Sequence, residues 1–189
     1  LRFRGDLRWR VRLEQAEEQL ERALADSERV SGRDDPRTVR VVEALAGLRQ
    51  EQGRTGEAES LYLEGIARAE RGGLRADEVY LYLLNNLGML YMTQDRYDQA
   101  DAWLQRALAV FEESHATPDA GADRARLVSN LAHVAHDQGD HARADRLSKR
   151  RAAITPTMRT TPRDMTKLTT RAVTANAVIT GTVRNAATR

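Results

Sequence analysis

The sequence predicts an all-α solenoid of antiparallel helix pairs with a disordered C-terminal tail. Two observations carry this prediction: an alanine-acid pair that recurs at a near-constant interval, and apolar residues at helical spacing on both sides of each recurrence. A third is a break in composition near residue 155. The repeated segments are Gln52-Gly-Arg-Thr-Gly-Glu-Ala58-Glu59, Gln94-Asp-Arg-Tyr-Asp-Gln-Ala100-Asp101 and Gln138-Gly-Asp-His-Ala-Arg-Ala144-Asp145. Ala16-Glu17 is a fourth alanine-acid pair, and the alanines step by 42, 42 and 44 residues. The same register aligns Leu45, Leu87 and Leu131, then Leu48, Leu90 and Val134, then Leu61, Trp103 and Leu147.

Composition bounds the chemistry. The 189 residues include no cysteine, which removes disulfides, thiolate metal sites and thiol nucleophiles and fits a reducing compartment. The longest uninterrupted apolar run, Val79 to Leu84, is far short of the roughly 18 residues of a membrane span. We therefore expect a soluble, cytoplasmic chain. It starts with Leu rather than Met, from which we expect a piece of a longer protein.

Residues 1 to 31 read as a partial unit. Phe3, Leu7, Trp9, Val11 and Leu13 alternate with arginines, a period-two pattern, but the repeat register favours a partial helix capping the solenoid before a helix over 13–30. Gly32-Arg33-Asp34-Asp35-Pro36 then forms an inter-unit loop.

Full units follow at about 37–72, 77–115 and 121–154, making 1–154 one repeat domain. In the middle unit a first helix carries Leu83, Leu84, Leu87, Leu90 and Tyr91. A second carries Tyr97, Ala100, Trp103, Leu104, Ala107, Leu108 and Phe111. Gly53, Asp95 and Gly139 fall at the turns, where a left-handed residue ends a helix. Glu57, Glu59, Asp98 and Asp101 are expected to complement the positive end of the second-helix dipole. The alanines let paired helices approach closely. Pro118 marks the last inter-unit loop.

Residues 155–189 differ in kind. They hold 11 threonines against four in all preceding residues, Pro156 and Pro162, and six basic residues against Asp164 alone, a net +5. The other 154 residues carry 24 basic and 27 acidic side chains, net −3, so the pI of 9.2 belongs to the tail. We expect this tail to be disordered, with no more than a weak polyanion attraction.

Leu84-x-x-Leu87-Gly88-x-x-Tyr91, followed by Ala100-x-x-x-Leu104, resembles the tetratricopeptide repeat pattern W-x-x-L-G-x-x-Y…A-x-x-x-F. The 42-residue step and the Leu-Asn85-Asn86-Leu segment are similar to the longer-helix subtype of kinesin light chains. The flanking units depart from the pattern: Ala46 and Ala132 replace the Gly, and Arg49 and Ala135 the Tyr.

In a curved array of this kind the first helices line a concave groove. By register the groove residues are Arg40, Glu43, Gly47 and Gln50; Tyr82, Asn85, Asn86, Met89 and Met92; and Arg126, Ser129, Asn130, His133 and His136. An asparagine amide both donates and accepts, so it can hold an extended peptide backbone whatever its sequence. The resemblance implies that role for Asn86 and Asn130, while Ala44 breaks the column. Arg40 and Arg126 could pair with acidic ligand side chains. The candidate groove set is therefore Arg40, Tyr82, Asn85, Asn86, Met89, Arg126, Asn130 and His133, with a protein or peptide as ligand and no cofactor.

No lysine precedes Lys149, which weighs against the carboxylate grip of chaperone-binding relatives. His133, His136 and His141 lack the spacing of a known metal motif, and no catalytic motif is recognisable. We expect a non-enzymatic interaction module. Alternatives are a sensor or scaffold part of a larger signalling protein, nucleic-acid binding through the tail, and self-association through the solenoid ends.

Overall fold

The computed structural model describes residues 2–114 and 121–154, with side chains from Arg12 onward. Expectations for the tail and for Pro118 lie outside these residues. The described chain forms seven α-helices: α1 Arg2–Ser31, α2 Pro36–Glu51, α3 Thr55–Arg71, α4 Glu78–Met92, α5 Tyr97–Ser114, α6 Gly121–Asp137 and α7 His141–Ile154. A short 3₁₀ turn, Leu74–Ala76, precedes α4. Helices α2/α3, α4/α5 and α6/α7 pair as hairpins and stack in order, giving the all-α solenoid that the repeats predict.

The local chemistry explains where the helices begin and end. Asp35 caps α2 by accepting from the Arg37 amide at 2.9 Å, with Pro36 at the first helical position where no amide donor is needed. Asp77 caps α4 in the same way through the Val79 amide at 2.9 Å. Each hairpin turn holds one residue of positive φ: Gly53 at 74°, Asp95 at 57° and Gly139 at 80°. The next amide then reaches back to a last-turn carbonyl, Arg54 to Arg49, Arg96 to Tyr91 and Asp140 to Ala135, at 2.8 to 3.0 Å.

One period before Gly53 stands Val11, a β-branched residue for which the left-handed conformation is costly. No turn forms there. Instead of a partial capping helix followed by a second one, α1 runs unbroken for 30 residues.

Packing is tightest where the pattern places small residues. Ala58 and Ala100 are fully buried and Ala144 nearly so. A Cβ on Gly88 would lie 2.7 Å from Leu104 Cγ and 3.4 Å from the Ala100 carbonyl oxygen, so α4 and α5 meet almost backbone to backbone. Leu83, Leu84, Leu87, Leu90, Leu104, Leu127 and Leu131 join the units into one continuous core.

Acidic residues stitch the units together. Glu59 on α3 accepts from the Tyr91 hydroxyl at 2.9 Å and the Arg96 guanidinium at 2.7 Å, and Arg96 lies 4.2 Å over the Tyr91 ring. One period earlier Glu17 on α1 takes Gln52 at 2.6 Å, Arg54 at 3.0 Å and Arg49. One period later Asp101 takes Arg143 at 2.6 Å. Glu59 and Asp101 thus act as acceptors for the following unit, beyond the dipole role expected of them. A second row joins Glu28 to Arg68 at 2.7 Å, Glu70 to Tyr80 and Arg106, and Glu112 to Arg124 and Arg150.

Candidate functional site

Successive first helices touch, α2 on α4 and α4 on α6, whereas successive second helices make at most marginal contact. The first helices therefore lie on the inside of the curvature, and their free faces form the candidate groove. Across it runs a directed chain of side-chain amides. Asn130 on α6 donates to Asn85 Oδ1 at 2.9 Å, Asn85 donates to Asn86 Oδ1 at 3.1 Å, and Asn86 donates to Glu43 on α2 at 2.8 Å. Three consecutive units are linked by one polar path that ends on a carboxylate, an arrangement in which each bond polarises the next.

The candidate residues divide by position. Asn86, Asn130, Tyr82 and Met89 are half-buried along the inner face. Asn85 is 6% exposed, so it supports its two neighbours from behind and does not line the surface as its register suggested. A rotation of about 100° per residue turns it away from the face shared by Tyr82, Asn86 and Met89. Tyr82 donates to Glu78 at 2.5 Å, and the Arg126 guanidinium lies 5.5 Å from its ring centre while pairing with Asp123 at 3.1 Å. Arg40 is exposed near the start of α2, 3.4 Å from Asp77, apart from the amide chain. His133 is exposed on α6.

Between α2 and α4 the inner face dips into a depression of about 370 Å³ lined by Gly47, Gln50, Glu51, Tyr62, Asn86 and Met89. Tyr62 comes from the second helix α3, and its hydroxyl donates to Gln50 Oε1 at 3.3 Å. It reaches the inner face because Ala46 and Gly47 leave it room: a Cβ on Gly47 would lie 3.8 Å from its hydroxyl. Burial pushes the Tyr62 phenol well above its ordinary range, with the Glu43 and Glu51 charges adding to the effect.

Burial likewise pushes the Glu43 carboxyl above its ordinary value, opposed by the Asn86 hydrogen bond. A carboxyl whose folded pKa is raised favours folding most at low pH, and that contribution is lost as pH rises through the folded value. Glu43→Gln keeps an acceptor for Asn86 without the charge. Its melting temperature should equal or exceed that of the parent at pH 7, with the difference closing in acid; a clear drop at pH 7 would contradict this account of Glu43.

A tetratricopeptide repeat profile matches residues 5–71 and 80–156. The chain belongs to the tetratricopeptide repeat family. Tetratricopeptide repeats generally mediate protein–protein interaction, and the fold of those here is kinesin-light-chain-like. BtubC (BKLC) from P. vanneervenii is similar at 25% identity and a TM-score of 0.71, over 79% of this chain and 59% of that one. A kinesin-light-chain-like protein of nearly identical repeats from Podosopora anserina gives 19% identity and a TM-score of 0.68, over 84% of this chain and 75% of that one. Apo RapI gives 18% and 0.66, over 77% of this chain and 50% of that one; these last two likenesses are of fold alone. The chain thus spans about 59% of the length of BtubC. No curated protein matches by sequence.

Two features of this tetratricopeptide repeat chain were not singled out from the sequence. Tyr62 stands in the column of Leu104, and a tyrosine opposite Ala46-Gly47 was the available signal. The junction arginines share a column only in part, since Arg54 and Arg96 align but Arg143 comes from a different position. Among the described residues no helix is long and apolar enough to cross a membrane.

Proposed function

We propose that this chain is a non-enzymatic peptide-binding module that holds an extended segment of a partner protein along the inner faces of α2, α4 and α6. The observation that carries this reading is the placement of Asn86 and Asn130. Both are half-exposed, both are held in one orientation by the amide chain, and each retains an unused amide hydrogen for a ligand carbonyl. Pre-ordering by Asn85 and Glu43 lowers the entropy lost when the ligand binds. The depression beside Tyr62 and Met89 accepts one ligand side chain, and Arg126 over Tyr82 offers a cation beside the next.

A displayed library of unstructured dodecamer peptides panned against the full chain supplies probes. The double variant Asn86→Ala, Asn130→Ala should bind a selected peptide about tenfold more weakly, the loss of two backbone hydrogen bonds, with its helical circular dichroism retained. Unchanged affinity would sink the groove reading.

A further inference from the structure

Arginine balances the acids at the junctions between units: Glu17, Glu28, Glu59, Glu70, Asp101 and Glu112 each pair with a guanidinium. Two acids on α2 are treated differently. Glu43 accepts from the Asn86 amide, and neither Glu43 nor Glu51 pairs with a cation among the described residues. The nearby arginines are turned elsewhere. Arg40 goes to Asp77, Arg49 and Arg54 go to Glu17 and Glu57, and Arg12 borders Glu51 from the α1 side without pairing with it. Glu51 is also the last residue of α2, where the negative end of the helix dipole adds to its charge.

Glu43, Gly47 and Glu51 follow one another at four-residue steps along one stripe of α2. The depression of about 370 Å³ opens beside that stripe: Gly47 and Glu51 line it, and Asn86, which lines it from α4, is the residue bonded to Glu43. Tyr62 lines it as well and is 1% exposed. Its hydroxyl gives its hydrogen to Gln50, while its oxygen accepts from no donor among the described residues. The cavity therefore offers oxygen acceptors and negative charge without a counter-charge. Glu43 is costly in this setting, because burial opposes its ionisation and a glutamine would serve Asn86 as acceptor equally well. A cation brought by a ligand offsets that cost.

The next interval between first helices lacks every part of this arrangement. One period on, Asn85 stands in the place of Glu43, Met89 in that of Gly47, Met92 in that of Gln50 and Thr93 in that of Glu51. The carboxylates are gone and a long side chain replaces the glycine.

We infer, resting on the groove reading above, that the depression receives a basic side chain, arginine or lysine, of the bound peptide, with Glu43, Glu51 and the Tyr62 hydroxyl oxygen as its acceptors. The asparagine clamps hold backbone and are indifferent to sequence, so this single charged seat sets the register in which a peptide lies.

Dodecamer peptides selected on the full chain should share one arginine or lysine at a fixed position. Replacing it by its uncharged isostere, citrulline for arginine or norleucine for lysine, should weaken binding about tenfold. In the double variant Glu43→Gln, Glu51→Gln, which keeps the acceptor for Asn86, the same replacement should cost nothing. Gly47→Met copies the next interval, fills the depression and favours the helix, so it should stay folded and lose the preference for the basic residue. Selected peptides without a shared basic position, or an isostere penalty that is the same in the parent and the double variant, would overturn the inference. If such peptides still weaken on Asn86→Ala, Asn130→Ala, the groove reading stands and the basic seat alone falls; if no peptide is selected at all, both fall.

Discussion

Ala100→Leu will destabilise the chain by about 3 kcal/mol, the upper end of the range for overpacking a filled core. Ala100 is 0% exposed and its carbonyl oxygen would sit 3.4 Å from a Cβ placed on Gly88, so the close approach of α4 and α5 leaves no room for the added leucine atoms. Opening the α4–α5 hairpin to admit them would separate Leu104 from Gly88 and disturb the central unit, on which both neighbours stack. Ala102→Leu, two residues along on the exposed face of α5, is the control and should unfold at the parental denaturant concentration. Equal midpoints for the two variants in urea would show that the close crossing is not what limits residue size at position 100.

Arg49→Ala will cost about 2 to 3 kcal/mol, whereas Arg49→Tyr will remain within about 1 kcal/mol of the parent. The Arg49 side chain is 8% exposed and gathers Glu17, Glu21 at 2.8 Å and Glu57 at 3.4 Å, tying α1, α2 and α3 together. Alanine leaves that group of carboxylates short of its central cation. Tyrosine re-creates the next junction, where Tyr91 and Arg96 share Glu59, because Arg54 already stands beside Glu17 as Arg96 stands beside Glu59.

The acid response follows from the same contacts. The Glu17 carboxyl is held at about 2, chiefly by the Gln52 amide and then by Arg49 and Arg54, against an upward push from burial. That is below the 4.5 of a free glutamate, so its contribution is complete above about pH 4.5 and is lost as pH falls toward 2. In Arg49→Ala the carboxyl returns toward its ordinary value, and acid unfolding should begin at higher pH. An unchanged acid profile would show that Arg49 is not an essential part of the clamp.

Much of the fold was legible because the repeat imposes the same demand several times. Small residues at 58, 100 and 144, turn residues at 53, 95 and 139, and leucines at matched spacing each constrain one register. The N-terminal end was less legible, since alternation of arginine with apolar residues over 1–13 fits neither a hairpin nor a plain amphipathic helix. There the deciding fact is the absence of a turn-capable residue at position 11. In the groove, helix periodicity located Tyr82, Asn86, Met89 and Asn130 on the inner surface but could not tell Asn85 from Asn86, because adjacent residues differ only by a rotation whose outcome depends on where α6 lies. The bonds among these amides cross about 43 to 45 residues of sequence and leave no local trace.

The junctions between units are written in arginine. The whole chain has only two lysines, Lys149 and Lys167, and neither is among the stitching contacts described. Guanidinium stays charged throughout the pH range in which proteins survive, so alkaline conditions that would neutralise an ammonium leave these stitches intact. The same choice removes them from acetylation and ubiquitin attachment, which act on amines. Lys149 is the single side-chain amine in the described helices, and lysine-directed tagging there would mark the last helix without touching the inner face.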